Sequence, residues 1–228
     1  MTHPGMPAFD HMPTDEEVEA INNGRNFTMW SVFRLVNGMA PSREALAELE
    51  AKLDSVSVRG FYDLRGYRAD ADLMMWLRAD NPEALQAAYR VFQECEHFEP
   101  VWSTIAVHRP AEFNRSHLPG FLVSSRTPKY AAVYPFIRSY DWYLLPDWKR
   151  AAIMRNHAAA GKGYLDVVSS TMATFALSDY EWVVSVEADS PERLVDLMYD
   201  FRKTEARMHV RQDTPFFTGV KVELADFA

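Results

Sequence analysis

The sequence predicts an α+β fold in which two ferredoxin-like repeats join their sheets into a dimeric α+β barrel within one chain. Three observations predict it. Strand and helix signals follow the order β-α-β-β-α-β, and that order occurs twice. Adding 109 to a residue number maps one capped helix onto another, so that Ala79, Asp80, Pro82, Glu83, Leu85, Phe92 and Glu96 recur as Ala188, Asp189, Pro191, Glu192, Leu194, Phe201 and Glu205. The stretch between the halves, residues 109–129, carries several apolar residues and no low-complexity tract, which favours joined over separate units.

In chain order, residues 1–27 form an N-terminal arm, in which Thr14 can cap a short helix with an acidic first turn, Asp15-Glu16-Glu17. The N-terminal ferredoxin-like half covers residues 28–125. It opens with a β-rich run from Phe27 to Val36, followed by a helix begun by Pro41-Ser42-Arg43-Glu44 and running to about Ser55. Two strands come next, Val58 to Tyr67 and Asp72 to Arg78. Asn81 is a suitable N-cap with Pro82 at the first helical position, for a helix to about Cys95, and a strand from Val101 to His108 closes the half. The C-terminal half, residues 126–228, repeats the order: a β-rich run Tyr130 to Leu145, a helix opened by Pro146-Asp147, strands near Val167 to Leu177 and Glu181 to Glu187, the repeated helix, and a last strand Phe216 to Leu224.

Composition bounds the function. Of 228 residues, 48% are hydrophobic, enough for a sizeable core. A net charge of −8 argues against a general nucleic-acid surface, so no nucleic-acid partner is expected and an anionic ligand needs a local cationic pocket. The single cysteine, Cys95, excludes an intramolecular disulfide or a multi-cysteine metal site and leaves histidine as the foremost soft ligand the chain could offer a metal such as iron. No apolar run reaches the length of a signal h-region or a membrane span, which predicts a cytoplasmic protein.

Of seven histidines, His3, His11, His97, His108 and His209 read as surface or hydrogen-bonded residues. Two stand out. His157 sits in a helix whose small neighbours, Ala151, Ala152, Ala158, Ala159, Ala160 and Gly161, would let a flat macrocycle approach; on spacing alone a packed or solvated histidine is the plain account, and an iron-ligating imidazole the alternative. His117 lies in a turn-rich loop, Ser116-His117-Leu118-Pro119-Gly120-Phe121, where a surface role is the plain account and a role as a base the alternative. Tyr134 and Arg138 share a strand of high aromatic density that continues to Tyr140, Trp142 and Tyr143; packing is the plain account of that strand, and redox chemistry the alternative.

These residues resemble a known family. The run Tyr134-Pro135-Phe136-Ile137-Arg138-Ser139-Tyr140-Asp141-Trp142-Tyr143, the segment Met154-Arg155-Asn156-His157 and the segment Asp179-Tyr180-Glu181-Trp182 are similar to coproheme decarboxylases of the chlorite dismutase superfamily. Met29-Trp30-Ser31-Val32-Phe33 and the His117 loop resemble its actinobacterial branch. The resemblance implies a hydrogen peroxide-dependent haem synthase, an oxidoreductase of haem biosynthesis. Its substrate and redox cofactor would be Fe-coproporphyrin III (coproheme), and two propionates would become vinyl groups through a tyrosyl radical to give haem b. It implies His157 as the proximal metal ligand, Tyr134 as the radical-forming residue, His117 as the distal base, and Arg138 and Trp142 beside the propionates. It also makes the C-terminal half the haem-binding one and implies a homopentamer. One departure matters: chlorite dismutases place an arginine about 13 residues after the proximal histidine, where this chain reads Asp166-Val167-Val168-Ser169-Ser170-Thr171. That disfavours a chlorite-degrading or other peroxidase-like enzyme; a non-catalytic haem carrier would keep His157 and have no need of Tyr134.

Overall fold

The computed structural model describes residues 13–228, so His3 and His11 lie outside the described residues. Helix α1 (Asp15–Asn23) begins as its sequence dictates: Thr14 Oγ accepts from the Glu17 amide, and the Glu17 carboxylate accepts from the Thr14 amide. The first half then runs β1 (Phe27–Leu35), α2 (Arg43–Ala51), β2 (Ser57–Asp63), β3 (Leu73–Ala79), α3 (Pro82–Gln93) and β4 (Phe98–Val107). A linker holding the short helix α4 (Gly120–Val123) leads to β5 (Tyr130–Arg138), α5 (Asp147–Gly161), β6 (Val168–Ala173), β7 (Trp182–Ala188), α6 (Pro191–Arg202), β8 (Val210–Gln212) and β9 (Phe217–Val222). The 109-residue offset is kept by β3 and β7 and by α3 and α6. Asn81 caps α3 by accepting from the Ala84 amide at 2.8 Å.

The strands pair in the order β7-β6-β4-β1-β3-β2-β9-β5-β8, and β5 pairs back onto β7, so eight of them close a ring. Within each half the strand order is the same, β4-β1-β3-β2 and β9-β5-β7-β6. One seam between halves, β2 with β9, pairs Phe61 with Val222, Tyr62 with Lys221 and Asp63 with Val220. The other, β4 with β6, rests on Val107 opposite Ala173 and on the Thr174 hydroxyl donating to the Ile105 carbonyl at 3.0 Å.

Three apolar clusters follow from this closure. Trp30, Val32, Tyr62, Trp76, Phe121, Val133, Val183 and Phe217 fill the ring from both halves. Phe33, Leu46, Leu49, Leu85, Phe92 and Phe98 pack α2 and α3 against the outer face of the first half. Ala132, Tyr134, Phe136, Val184, Leu194 and Leu197 lie on the outer face of the second half. β5 is therefore buried on both faces, which is why its sequence is nearly continuous in apolar residues rather than alternating.

Several boundaries differ from the sequence expectation for local reasons. The run from Tyr130 does not continue as a strand to Leu145: it stops at Arg138, because Ser139 Oγ donates to Asp141 Oδ1 at 2.6 Å and the Leu144 and Leu145 amides turn back onto the Asp141 carbonyl. The strand expected to Tyr67 stops at Asp63, whose carboxylate takes the Arg65 amide at 2.9 Å in a turn completed by Gly66 at φ +84°. The helix from Ser42 ends at Ala51, not near Ser55, and the strand expected from Val101 begins at Phe98, with Pro100 beside the register shift opposite Val32 and Phe33. β8 has no counterpart in the sequence expectation.

Candidate functional site

The outer face of the second half is less filled than that of the first. α2, the counterpart of α5 in the repeat, buries Leu46 and Leu49 over nine residues, whereas α5, with 15, buries only Ile153. The reason is compositional: its middle and end are alanines with Arg155, Asn156 and His157 among them, so it offers no apolar stripe to the sheet. It packs instead on α6 and on the turn Glu205–His209. A helix that presents so little apolar surface to a buried aromatic strand is not committed to packing on it, which is what a flat ligand lying between them would require.

His157 sits on that helix with its ring 4.1 Å from the Phe201 ring, centroid to centroid. Its Nδ1 is buried and has no hydrogen-bond partner. Burial, then the nearby Arg138 charge and then His117, push its pKa down to about 4. The imidazole is thus neutral at physiological pH, the form that can ligate iron.

Tyr134 and Arg138 project from β5. The Tyr134 ring stacks on Phe216 at 4.3 Å, and its hydroxyl donates to Met198 Sδ at 3.6 Å. Burial first, with a further contribution from Asp213, raises its pKa to about 12 against the opposing pull of Arg202, Arg207 and Arg138. The phenol therefore keeps its proton. Arg138 is partly buried, and among the described residues its guanidinium donates only to the Met154 thioether, Nη2 to Sδ at 3.6 Å. Its Nε is buried without a partner, no described carboxylate pairs with it, and its Cζ lies 4.2 Å from the Trp142 ring centroid. A partly buried guanidinium with an unpaired Nε and no direct ion pair is costly, and a carboxylate-bearing ligand would offset that cost. Trp142 is itself buried and packs on His209 at 5.3 Å.

His117 is exposed on the linker, although the protein around the ring still holds its pKa below the ordinary value through desolvation. Its loop is pinned just beyond it. The Phe121 amide donates to Ser170 Oγ at 3.2 Å, and a side chain at Gly120 would meet Val168 Cγ1 at 2.7 Å and the Ser169 carbonyl at 2.8 Å. Ser170, in the stretch where chlorite dismutases carry arginine, thus anchors this loop.

The structure brings Arg138 and His117 each within electrostatic reach of His157, and Arg138 within reach of Tyr134 and in contact with Trp142. Arg150, at the start of α5, is otherwise engaged: it donates to the Tyr143 and Leu145 carbonyls and pairs with Asp147 and Glu112. The sequence did not reveal Met154, Met198, Phe201 or Phe216 as neighbours of these groups. Phe201 had a signal, since the 109-residue repeat equates it with Phe92, a core residue of the first half. Two surface grooves, about 530 Å³ lined by Thr127, Lys129, Asp189 and Lys221 among others and about 380 Å³ between α2 and α3, include none of these residues.

The chlorite dismutase family matches residues 39–222 of the chain. The coproheme decarboxylase of Mycolicibacterium smegmatis is 46% identical over 219 residues, covering 91% of this chain and 95% of that protein. The coproheme decarboxylase of Staphylococcus saprophyticus is 22% identical over 189 residues, 75% of each chain. Among solved structures, the chlorite dismutase of Candidatus Nitrospira defluvii in complex with imidazole superposes with a TM-score of 0.79 at 19% identity, over 94% of this chain and 98% of that one, a likeness of fold.

Proposed function

The chain belongs to the chlorite dismutase family, and from that premise we propose that it is a coproheme decarboxylase, converting coproheme to haem b with hydrogen peroxide. The 46% identity to the Mycolicibacterium smegmatis enzyme over nearly the whole of both chains supports the activity. The observation in the chain itself that carries the reading is that two of the six orphaned buried side-chain atoms among the described residues, His157 Nδ1 and Arg138 Nε, lie beside a helix that scarcely packs on its sheet. One is a group that ligates iron, the other a group that pairs with carboxylates, and coproheme presents both.

The reaction needs each propionic acid side chain and one peroxide to give a vinyl group, carbon dioxide and two waters. The bound iron porphyrin supplies the redox chemistry with peroxide. His157, neutral at working pH, holds the substrate through iron. Arg138, backed by the Trp142 face, pairs with a propionate and fixes its orientation. His117, exposed and unprotonated at neutral pH, accepts the peroxide proton and returns it to the departing oxygen. Tyr134 keeps its hydroxyl hydrogen because burial holds its pKa near 12. Of the two oxidising equivalents that one peroxide would supply through the bound iron porphyrin, the first would take that hydrogen as an atom, leaving a neutral phenoxyl radical that recovers it from the propionate β-carbon. The second would remove an electron from the resulting carbon radical as carbon dioxide leaves and the vinyl group forms.

The rest of the reading is architectural. The two halves, residues 28–125 and 126–228, are two ferredoxin-like repeats forming a dimeric α+β barrel, a reading supported by their shared strand order. The second is the haem-binding half, and residues 1–27 form the arm. Copies assemble as a homopentamer, for which the exposed Tyr140, Leu144, Trp148 and Met208 provide apolar surface to cover. Among the described residues no helix is long and apolar enough to cross a membrane, and we assign the enzyme to the cytoplasm.

The test is to load the protein with coproheme, add peroxide stepwise and follow the porphyrin by mass spectrometry. Sequential appearance of a three-propionate species and then haem b is expected. Oxygen release from chlorite at an enzymatic rate, with the propionates intact, would overturn the reading in favour of a chlorite-degrading enzyme; unchanged coproheme without oxygen release would leave a carrier.

A further inference from the structure

Helix α1 has two buried residues, Val18 and Asn22. An asparagine in such a place is costly unless both ends of its amide are paired, and both are. The Asn22 Nδ2 donates to the Arg115 carbonyl at 2.9 Å, and Oδ1 faces His108 Nε2 at 2.9 Å. Since Nδ2 is the donor, Oδ1 is the acceptor and His108 carries its proton on Nε2. Burial, with the Arg109 charge adding to it, lowers the His108 pKa, and the Nε2 proton that makes the link is present whichever form the ring takes. One amide therefore ties the end of β4 to the linker through the arm.

The Arg115 carbonyl lies two residues before His117, inside a tight turn. Ser116 donates to Asn114 Oδ1 through its amide at 3.2 Å and its hydroxyl at 2.7 Å, and the His117 amide donates to the Asn114 carbonyl at 3.0 Å. Fixing Arg115 thus fixes the turn as a unit. The second anchor follows His117 at Phe121, whose amide meets Ser170 and whose carbonyl takes Arg78 Nη1 at 3.1 Å. Only five residues, Ser116 to Gly120, separate the anchors, with His117 among them. The ion pair between Arg115 and Glu19, 3.5 Å with both side chains 56% exposed, is too solvated to hold the loop.

We propose that Asn22 is a positioning residue for His117, so that the N-terminal helix clamps the loop carrying the proton-transferring imidazole. The inference rests on the role given to His117 above. It assigns the arm a part in the peroxide step without contact with substrate.

The test uses the full chain with Asn22→Asp, which keeps an acceptor for His108 but removes the donor to Arg115, and Asn22→Ala, which removes both bonds without adding charge and serves should Asn22→Asp fail to fold. Amide hydrogen exchange of Ser116 and His117 in the ligand-free protein should rise about tenfold in either variant, one hydrogen bond's worth, with β1 and β4 unchanged. In the coproheme-loaded protein the peroxide step should slow by a similar factor where His117 is present, and by no further factor in a His117→Phe background. Unchanged loop exchange overturns the clamp whatever His117 does. Equal slowing with and without His117 overturns its action through that residue. A His117→Phe protein that reacts with peroxide as fast as the parent removes the role of His117 itself, and the inference with it.

Discussion

The Arg138 guanidinium lies over the Trp142 indole, Cζ 4.2 Å from the ring centroid, with its Nε unpaired. A stacked, partly buried cation with free donors is prepared for a carboxylate. Arg138→Leu should weaken coproheme binding about 10- to 100-fold, the size of one charge-assisted hydrogen bond, as measured by absorbance titration of the ligand-free protein. Trp142→Leu, which removes the platform but not the charge, should weaken it less. An unchanged dissociation constant in Arg138→Leu would remove that residue as an anchor.

A second prediction follows from the His157 pKa of about 4, below the ordinary 6.5. Between these values the unfolded chain binds the proton and the folded one does not, so stability present above pH 6.5 is lost as pH falls toward 4. His157→Phe should flatten this slope in denaturant titrations of the ligand-free protein. The slope should not vanish, because the pKa values of His117 and His108 are lowered in the same direction. Binding of coproheme through His157 should likewise persist at pH 5, where an unperturbed imidazole would be mostly protonated.

A third concerns the joint between the halves. Arg59 of β2 donates to Glu187 of β7 through Nε at 3.1 Å and Nη2 at 2.9 Å, and to the Ser124 carbonyl, with both side chains buried. Removing one partner strands the other charge, so Arg59→Met should cost about 3–5 kcal/mol. The double replacement Arg59→Met with Glu187→Leu should recover most of that loss in thermal unfolding. Equal losses in the single and double variants would show that the pair is not the source.

Much of the fold was legible because repetition and capping are local. Asn81-Pro82 starts a helix by chemistry contained in four residues, and the 109-residue offset exposed the doubled plan. The end of β5 was not legible, since Tyr140, Trp142 and Tyr143 have strand-like composition and only the Ser139–Asp141 contact breaks the strand. At the site, His157, Tyr134 and Arg138 could be singled out by residue type and motif. Their neighbours Met198, Phe201 and Phe216 could not, because these contacts join residues distant in the chain and made of ordinary core types. Asn22 was hidden for the same reason: its partners are 86 and 93 residues away.

The most direct test of the account is mass spectrometry of bound porphyrin after peroxide is added to coproheme-loaded Tyr134→Phe. The substitution keeps the ring stacked on Phe216 and removes only the hydroxyl that meets Met198. Coproheme should bind, as absorbance before peroxide would show, and peroxide should be consumed. The four propionates should nevertheless remain, with no three-propionate species and no haem b. Conversion to haem b at the parent's rate would contradict the account, leaving Tyr134 a packed aromatic.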